Sequence, residues 1–352
     1  MLIDHVKFYV TDIDAATHWL TEGYGFAVLA TGAPADRIAR SVELGANDVR
    51  LLLVEPVAAR HPGRTYLDKH GDGVCDIALR VDDASAAYHE AVRRGARPVA
   101  APVEGAGVVT ATIGGFGDLT HTFVQRAGTA DEQPLPGLAT KPETPGGWDS
   151  GVLKIDHFAA CLEPGGLDPA VEFYHRILDF DVIFTEHIVV GSQAMNSKVV
   201  QSGSGAVTFT LIEPDVSRTR GQIDEFLANH GGAGIQHVAV VADDIVRTVG
   251  SIKGRGIDFL TSPASYYDVI KDRLELSRHS VDDLRDLSIL VDADHHGQLF
   301  QIFAASVHPR RTFFFEVIER AGARTFGSSN IKALYEAVEA ERLARKASDA
   351  AA

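Results

Sequence analysis

The chain has 352 residues, 45% of them hydrophobic and 23% charged, which is enough for about two globular domains with separate cores. Its formal net charge of -15 argues against a nucleic-acid partner, because binding to phosphates requires clustered Lys and Arg. No apolar run is long enough to span a membrane and no secretory leader opens the sequence, so we expect a cytoplasmic protein with no membrane partner.

The predicted elements of the first half begin with an apolar strand, "IDHVKFYV" (residues 3–10), which an amphipathic helical pattern follows. The strands "LLLVEP" and "HGDGVCDIAL" come next, and a helix then runs to a stop signal at Gly95. "HTFVQR" (residues 121–126) is the last strand of this half. Residues 129–151 are rich in Pro, Gly and polar side chains without an apolar period, so we interpret them as a linker.

The second half repeats this order, with "IDHFAACL", "FTLIEP", "GAGIQHVAV" and "FFFEVIER" as the matching strands. An additional stretch around "YYDVIKDRLELSRHSVDDL" is the main asymmetry. Each half therefore predicts two βαβββ modules in an α+β fold, which gives two cupped sheet domains at residues 1–128 and 152–352. A final helix that begins at Ser328 or Ser329 is expected to cover the opening of the second cup, with an ordinary docking helix as the alternative.

Only the second half has two imidazoles and a carboxylate at aligned positions: His157, His237 and Glu316 stand opposite His5, Asp76 and Gln125. Each of the three shares a strand face with apolar residues, where an unpaired ionised Glu316 would be costly. A divalent metal removes that cost, either Fe(II) that activates oxygen or Zn²⁺ that supports hydrolysis. The alternative is that each histidine is a hydrogen-bonded core residue, which is the interpretation we adopt for His5.

These strands, with "SQAMNSKVVQS", "GQLFQIF" and "TFGSSNIKALYEAVE", resemble the 4-hydroxyphenylpyruvate dioxygenase family, which has the vicinal-oxygen-chelate fold. The resemblance covers nearly the whole chain and is strongest from Lys154 to about Glu339. It implies that His157, His237 and Glu316 are the catalytic Fe(II) ligands, and that 4-hydroxyphenylpyruvate chelates the iron through its 2-oxo acid and reacts with O2. It also implies a homo-oligomer, with a dimer favoured.

The family has two kinds of member, which share the loss of CO2 from the substrate and differ in the carbon that is hydroxylated next. One kind attacks the ring and makes homogentisate, and the other hydroxylates the benzylic carbon and makes 4-hydroxymandelate. The family motif "PxNEP" is "TLIEP" here, so that Thr210 replaces proline and Ile212 replaces asparagine, while Ile331 replaces a phenylalanine. These changes alter the polarity and shape of the pocket and favour benzylic hydroxylation, with homogentisate formation as the alternative.

The resemblance also implies the residues that bind the substrate. Hydroxyl contacts, a metal-side amide and hydrophobic walls are expected from Ser197, Thr210, Ile212, Gln301, Phe314, Phe326 and Ile331. Gln222 and Gln236 match amide positions of the family pocket, but Gln236 adjoins His237 and is expected on the opposite face of its strand. A different class of protein, a non-catalytic binding module of the same fold, remains open and would consume no oxygen.

Overall fold

The structure is a computed structural model that describes residues 1–32, 38–126, 134–140, 147–327, 330 and 332–333. The elements of the first half are β1 (Leu2–Tyr9), α1 (Ile13–His18), a π-helical turn (Trp19–Gly23), β2 (Ala27–Gly32), β3 (Ala39–Ala46), β4 (Val49–Pro56), α2 (Pro62–His70), β5 (Gly73–Arg80), α3 (Ala84–Arg93), β6 (Pro98–Gly105), β7 (Val108–Gly114) and β8 (Thr120–Arg126). A two-residue strand, β9 (Ala139–Thr140), lies in the segment that the sequence predicts as a linker and pairs with β2.

The second half repeats the pattern with two further helices. Its elements are β10 (Val152–Cys161), α4 (Leu167–Leu178), β11 (Phe180–Val190), β12 (Gln193–Ser202), β13 (Thr208–Pro214), α5 (Gln222–His230), β14 (Gly234–Ala242), α6 (Ile245–Lys253), α7 (Ala264–Arg273), α8 (Val281–Leu287), β15 (Leu290–Asp294), β16 (Gly297–Phe303) and β17 (Phe314–Ala321). The asymmetric stretch of the sequence forms α7 and α8, which we call the insertion. The helix predicted from Ser328 or Ser329 lies largely outside the described residues, of which Asn330, Lys332 and Ala333 are helical.

Each half forms one curled sheet in which two βαβββ modules meet at their first strands. The described strands run in the orders β6-β7-β8-β5-β1-β4-β3-β2-β9 and β11-β12-β13-β10-β14-β17-β16-β15. At the middle of each sheet β1 is antiparallel to β5, and β10 is antiparallel to β14. The strands on either side of these pairs run parallel to them. The right-handed twist of the strands accumulates across each sheet, which curls into a half-barrel. The predicted vicinal-oxygen-chelate architecture is confirmed.

Local sequence signals set the helix ends in both halves. Asp83 and Asp244 cap α3 and α6 by accepting hydrogen bonds from backbone N–H groups of the first turn. Gly71 and Gly231 follow α2 and α5 with φ of 73° and 76°, a backbone conformation that favours glycine. No helix among the described residues combines the length and apolarity needed to cross a bilayer.

Aromatic side chains at the start of β17 pack against the first half of the chain. Phe313 packs edge-on against Phe8 with 5.1 Å between ring centroids, and Phe315 lies 5.0 Å from Tyr24. Because side chains alternate along a strand, Glu316 then faces the interior of the second cup. The interface between the halves thus fixes the position of a candidate metal ligand.

Candidate metal centre

Three neighbouring strands bring His157, His237 and Glu316 together inside the second cup. His157 on β10 and Glu316 on β17 are both register partners of Ala239 on β14, and His237 lies two residues before Ala239 on the same face. The Nε2 atoms of His157 and His237 lie 3.4 and 3.3 Å from Oε2 of Glu316. The three side chains, which we call the donor triad, have donor atoms that all lie within 4.8 Å of one another.

This spacing fits a shared divalent ion. Nitrogen and oxygen ligands that bind one metal at about 2.1 Å lie about 3 Å apart or slightly more. Glu316 is only 2% exposed, and its ion-pair partners among the described residues are the two imidazoles. A buried carboxylate facing two nitrogen lone pairs is a donor set that suits a cation and is expensive without one.

The imidazole of His157 is oriented by its neighbour in the chain. Nδ1 of His157 donates a hydrogen bond to Asp156 at 2.9 Å, which directs Nε2 toward Glu316. Arg320 donates two hydrogen bonds of 2.8 Å to the same carboxylate. Burial alone would raise the pKa of Asp156, but the hydrogen bonds from Arg320 and His157 outweigh burial and hold that pKa well below its usual range.

Adjacent strand residues normally face opposite ways, so a local irregularity is needed for Asp156 to reach His157. The register of β10 against β14 shifts between Ile155 and His157, which marks a β-bulge. The bulge turns both side chains so that they can hydrogen-bond to each other.

His237 is held in its neutral form by its surroundings. Burial lowers the pKa of His237, and the nearby Glu316 carboxylate only partly offsets this effect. Its ring stacks on Phe314 with centroids 5.0 Å apart, and its Nδ1 atom is buried without a hydrogen-bond partner. The neutral imidazole is the form that binds metal ions through a free nitrogen lone pair.

A small cavity lies beside the donor triad. Its volume is about 40 Å³. It is lined by His157, Met195, Ser197, Thr210, Ile212, Gln222, Ile223, Gln236, His237, Gln301, Phe303, Glu316 and Phe326. Thr210 Oγ1 and Gln301 Oε1 are buried there without hydrogen-bond partners, so the cavity offers a donor and an acceptor to a ligand.

Most of the substrate-binding residues predicted from the sequence line this cavity: Ser197, Thr210, Ile212, Gln301 and Phe326. Phe314 instead stacks behind His237, and Ile331 lies outside the described residues. Gln236 also lines the cavity, so the prediction that it faces the other side is wrong. The cause is a second register shift, in which Ala159 pairs with His237 and Ala160 with Ile235, so that Gln236 has no partner on β10.

Sequence reasoning missed several contributors to the site: Asp156, Arg320, Met195, Ile223 and Phe303. A signal for Asp156 was available, because the tripeptide "IDH" occurs at the same place in both halves. The first half repeats the arrangement, since His5 Nδ1 donates to Asp4 at 2.8 Å and Arg126 donates to Asp4 at 2.7 and 2.8 Å.

The first cup replaces metal ligation with hydrogen bonds. The strand registers of the two sheets show that Thr122 is the first-half residue equivalent to Glu316, so the alignment of Gln125 with Glu316 is wrong. Thr120 and Thr122 both donate to the carboxylate of Asp76, at 2.5 and 2.9 Å. Both hydroxyl groups donate to Oδ1 of Asp76, in the place where the second cup has two metal-ligand candidates.

The counterpart of Gln125 is Glu319, and both accept a hydrogen bond from the first residue of a helix. Gln125 accepts from Ala84 N of α3, and Glu319 accepts from Ile245 N of α6. Donor atoms of Asp244, His279 and Glu319 also lie close together. However, Arg278 Nη1 lies 2.7 Å from Oε1 of Glu319 and His279 lies 2.9 Å from Oε2, so this cluster docks the insertion and offers little room to a metal ion.

Comparison with known proteins agrees with the duplicated fold. Residues 4–111 and 154–270 each match the Glyoxalase/Bleomycin resistance protein/Dioxygenase superfamily, which is the class that this architecture defines. The 4-hydroxyphenylpyruvate dioxygenase of Dictyostelium discoideum is 33% identical, with 97% of this chain and 98% of the relative aligned. That of Neurospora crassa is 30% identical, with 97% and 92% aligned.

Among solved structures, a triple mutant of 4-hydroxymandelate synthase from Streptomyces coelicolor superposes with a TM-score of 0.87 at 40% identity. That match covers 97% of this chain and 98% of the mutant. The chain belongs to the 4-hydroxyphenylpyruvate dioxygenase family, and it is an oxygenase with a candidate metal site in its second half.

Proposed function

We propose that the chain is an Fe(II)-dependent oxygenase that converts 4-hydroxyphenylpyruvate and O2 into 4-hydroxymandelate and CO2. The observation that carries this proposal is the donor triad beside a cavity whose wall combines Thr210 with Ile212. His157, His237 and Glu316 would hold the ion on one face and leave its other positions to the substrate and oxygen. The bound iron would supply oxygen activation and a Lewis acid for the 2-oxo acid.

The side chains of the cavity have separate tasks in this reaction. The hydroxyl groups of Ser197 and Thr210 and the amide of Gln301 are the polar contacts that orient the substrate. Ile212 and Phe326 cover apolar surface and exclude water from the reacting atoms. The Asp156 carboxylate holds the Nδ1 proton of His157, so this imidazole presents the same nitrogen to the ion throughout.

Two features support benzylic rather than ring hydroxylation. Ile212 presents a buried apolar side chain where the ring-hydroxylating pattern carries an asparagine, so the wall cannot hydrogen-bond to the substrate at that point. The identity to the solved 4-hydroxymandelate synthase mutant, 40%, is also higher than that to the two dioxygenases compared above, 33% and 30%.

The test begins with Fe(II)-loaded protein under anaerobic conditions. Addition of 4-hydroxyphenylpyruvate should produce the visible charge-transfer band of a chelated 2-oxo acid. Admission of air should then consume oxygen and yield 4-hydroxymandelate by chromatography, whereas Zn²⁺-loaded protein should yield neither band nor product.

The possible results separate the alternatives. Homogentisate as the main product would overturn the benzylic assignment and leave the iron site standing. Absence of both oxygen uptake and the charge-transfer band would instead indicate a non-catalytic binding module.

A further inference from the structure

The cavity beside the donor triad must enlarge before it can hold the proposed substrate. Its volume of about 40 Å³ has room for only about three water molecules, far less than a phenol ring with a three-carbon side chain requires. Nearly all its described lining residues lie on strands of one sheet or on α5, which are held by backbone hydrogen bonds. Phe326 is the exception, because it lies in the loop that follows β17.

This loop, residues 322–327, is the wall loop. A glycine with positive φ stands at each end, Gly322 at 92° and Gly327 at 70°. The loop also passes close to the cavity, since a Cβ atom at Gly327 would lie 2.7 Å from Oε1 of Gln301. Asp294 accepts hydrogen bonds from the backbone N–H groups of Arg324 and Thr325 at 2.7 and 2.9 Å.

Arg320 links the wall loop to the donor triad. Two of its N–H groups bind the carboxylate of Asp156 at 2.8 Å each, while Nη1 donates to the carbonyl oxygens of Thr325 at 2.7 Å and Ala323 at 3.3 Å. The guanidinium carbon also lies 5.2 Å from the ring centroid of Phe326, a cation–π contact. One rigid planar group therefore touches the loop backbone, the wall residue and the carboxylate that orients His157.

A second contact connects the wall loop directly to His157. The rings of Phe326 and His157 meet edge-to-face, with centroids 5.3 Å apart at 88°. Outward movement of the wall loop would remove this contact and take the Thr325 carbonyl away from Nη1 of Arg320. The guanidinium, and with it Asp156, would then lose part of what holds His157 toward Glu316.

We propose that Arg320 is a positioning residue that couples closure of the wall loop to the orientation of His157, so that the metal site is fully formed only when the loop is closed. The coupling rests on the proposed function for the metal, and it adds a reason why loop closure and metal binding would stabilise each other. By linkage, whatever binds better to the closed state must also draw the loop inward.

The first half supplies a matched control. Arg126 makes the same two-bond contact with Asp4, which in turn accepts a hydrogen bond from His5. Among the described residues, His5 belongs to no cluster of side chains that could bind a metal ion. Substitution of Arg126 by Lys perturbs an equivalent arginine–aspartate pair without touching the wall loop of the second half.

The test compares Arg320→Lys with Arg126→Lys in the full chain, using Co²⁺ as a spectroscopic probe of the metal site. Lysine keeps the positive charge but cannot bind Asp156 with a fork and the Thr325 carbonyl together. We expect Arg320→Lys to weaken Co²⁺ binding about 10- to 100-fold, the range found for partners that orient metal-bound histidines. Arg126→Lys should leave Co²⁺ affinity unchanged.

Hydrogen exchange of residues 322–327 is the second readout, one that a purely structural role would not move. Co²⁺ should slow exchange in this loop in the wild-type chain and in Arg126→Lys, and should have little effect on it in Arg320→Lys. Phe326→Leu is the second variant. Its effect on Co²⁺ affinity should be smaller when Arg320 is already Lys, because both substitutions break the same contact, the one between Arg320 and Phe326.

Three results would overturn the coupling. Arg320→Lys could retain Co²⁺ affinity, it could lose affinity while Co²⁺ still protects the loop, or the two substitutions could act additively. A wild-type chain that binds neither Co²⁺ nor Fe²⁺ would overturn the iron-dependent function and this coupling with it, whereas an unexpected organic product would leave the coupling untouched.

Discussion

Glu316 is a buried carboxylate that needs a positively charged partner. It is 2% exposed and faces two imidazoles, and burial disfavours the protonated form of at least one of them, His237. A neutral imidazole cannot balance a carboxylate charge, whereas a divalent cation bound by all three side chains would do so.

Substitution of Glu316 by Ala should therefore abolish tight metal binding while leaving the fold intact. We expect Fe²⁺ affinity to fall by more than about 100-fold, and the metal-free variant to unfold at no lower temperature than the metal-free wild type, because a buried charge is removed. Metal analysis and circular dichroism check both points. Thr122→Ala, at the equivalent position of the first half, should retain the metal. Retention of stoichiometric iron by Glu316→Ala would contradict the site.

Ile212 is expected to influence which carbon is hydroxylated. Ile212→Asn restores an amide to the wall and should move part of the product toward homogentisate, at a cost in stability of about 1–3 kcal/mol for burying a polar group. Product ratios by chromatography test this, with Ile212→Val as the apolar control that should keep the original ratio. An unchanged ratio in Ile212→Asn would remove this residue from the determinants of product.

The types of the donor residues and the strands that carry them could be predicted from the repeated sequence, because strand alternation and burial follow from local pattern. The supporting residues could not. Alternation places Asp156 and His157 on opposite faces, and the bulge that overrides it depends on pairing with β14. Alignment of the two halves by sequence puts Gln125 at the place of Glu316, but strand register, which depends on long-range pairing, assigns that place to Thr122.

At the scale of elements, the insertion is the main addition to a repeated plan. The sequence predicts the insertion as an asymmetric stretch without assigning its helices, and the way that these helices dock depends on Glu319. This carboxylate caps α6 in the same way that Gln125 caps α3, and it also binds Arg278 and His279, which lie in the segment between α7 and α8.

Glu319→Gln should keep the helix cap and loosen the insertion. The amide oxygen can still accept from Ile245 N, but the ion pair with Arg278 is lost, so we expect a loss of about 1–3 kcal/mol in the free energy of unfolding. Protease cleavage within residues 274–280 should become faster, while Co²⁺ affinity should not change. Arg285→Gln breaks exposed pairs with Asp268 and Asp282, and this control should cost less than about 1 kcal/mol. Unaltered cleavage in Glu319→Gln would contradict its docking role.

At the scale of the whole molecule, two histidines meet where the halves join. His70 and His230 end α2 and α5, their rings stack with centroids 4.2 Å apart, and His70 Nδ1 donates to the carbonyl of His230 at 2.7 Å. Burial, together with repulsion from His70, lowers the pKa of His230 to about 4. The junction therefore favours the neutral form of His230.

This junction predicts how stability depends on pH. The unfolded chain takes up a proton at His230 near pH 6.5 and the folded chain only near pH 4, so the free energy of unfolding should fall as the pH is lowered through that window. The contribution is about 3 kcal/mol. Urea unfolding at several pH values measures it, and His230→Gln should give a shallower slope than the wild type. An equal slope in His230→Gln would exclude this origin.

The register shift before His157 has a counterpart before His5, where β1 slips against β5 between Ile3 and His5. Both copies also have the arginine that donates hydrogen bonds to the aspartate. The most economical history is that a single ancestral cup already had this bulge, aspartate and arginine before it was duplicated. The two copies then came to differ at its centre, where the second cup has the donor triad, so the ability to hold a histidine ring in place is older than that triad.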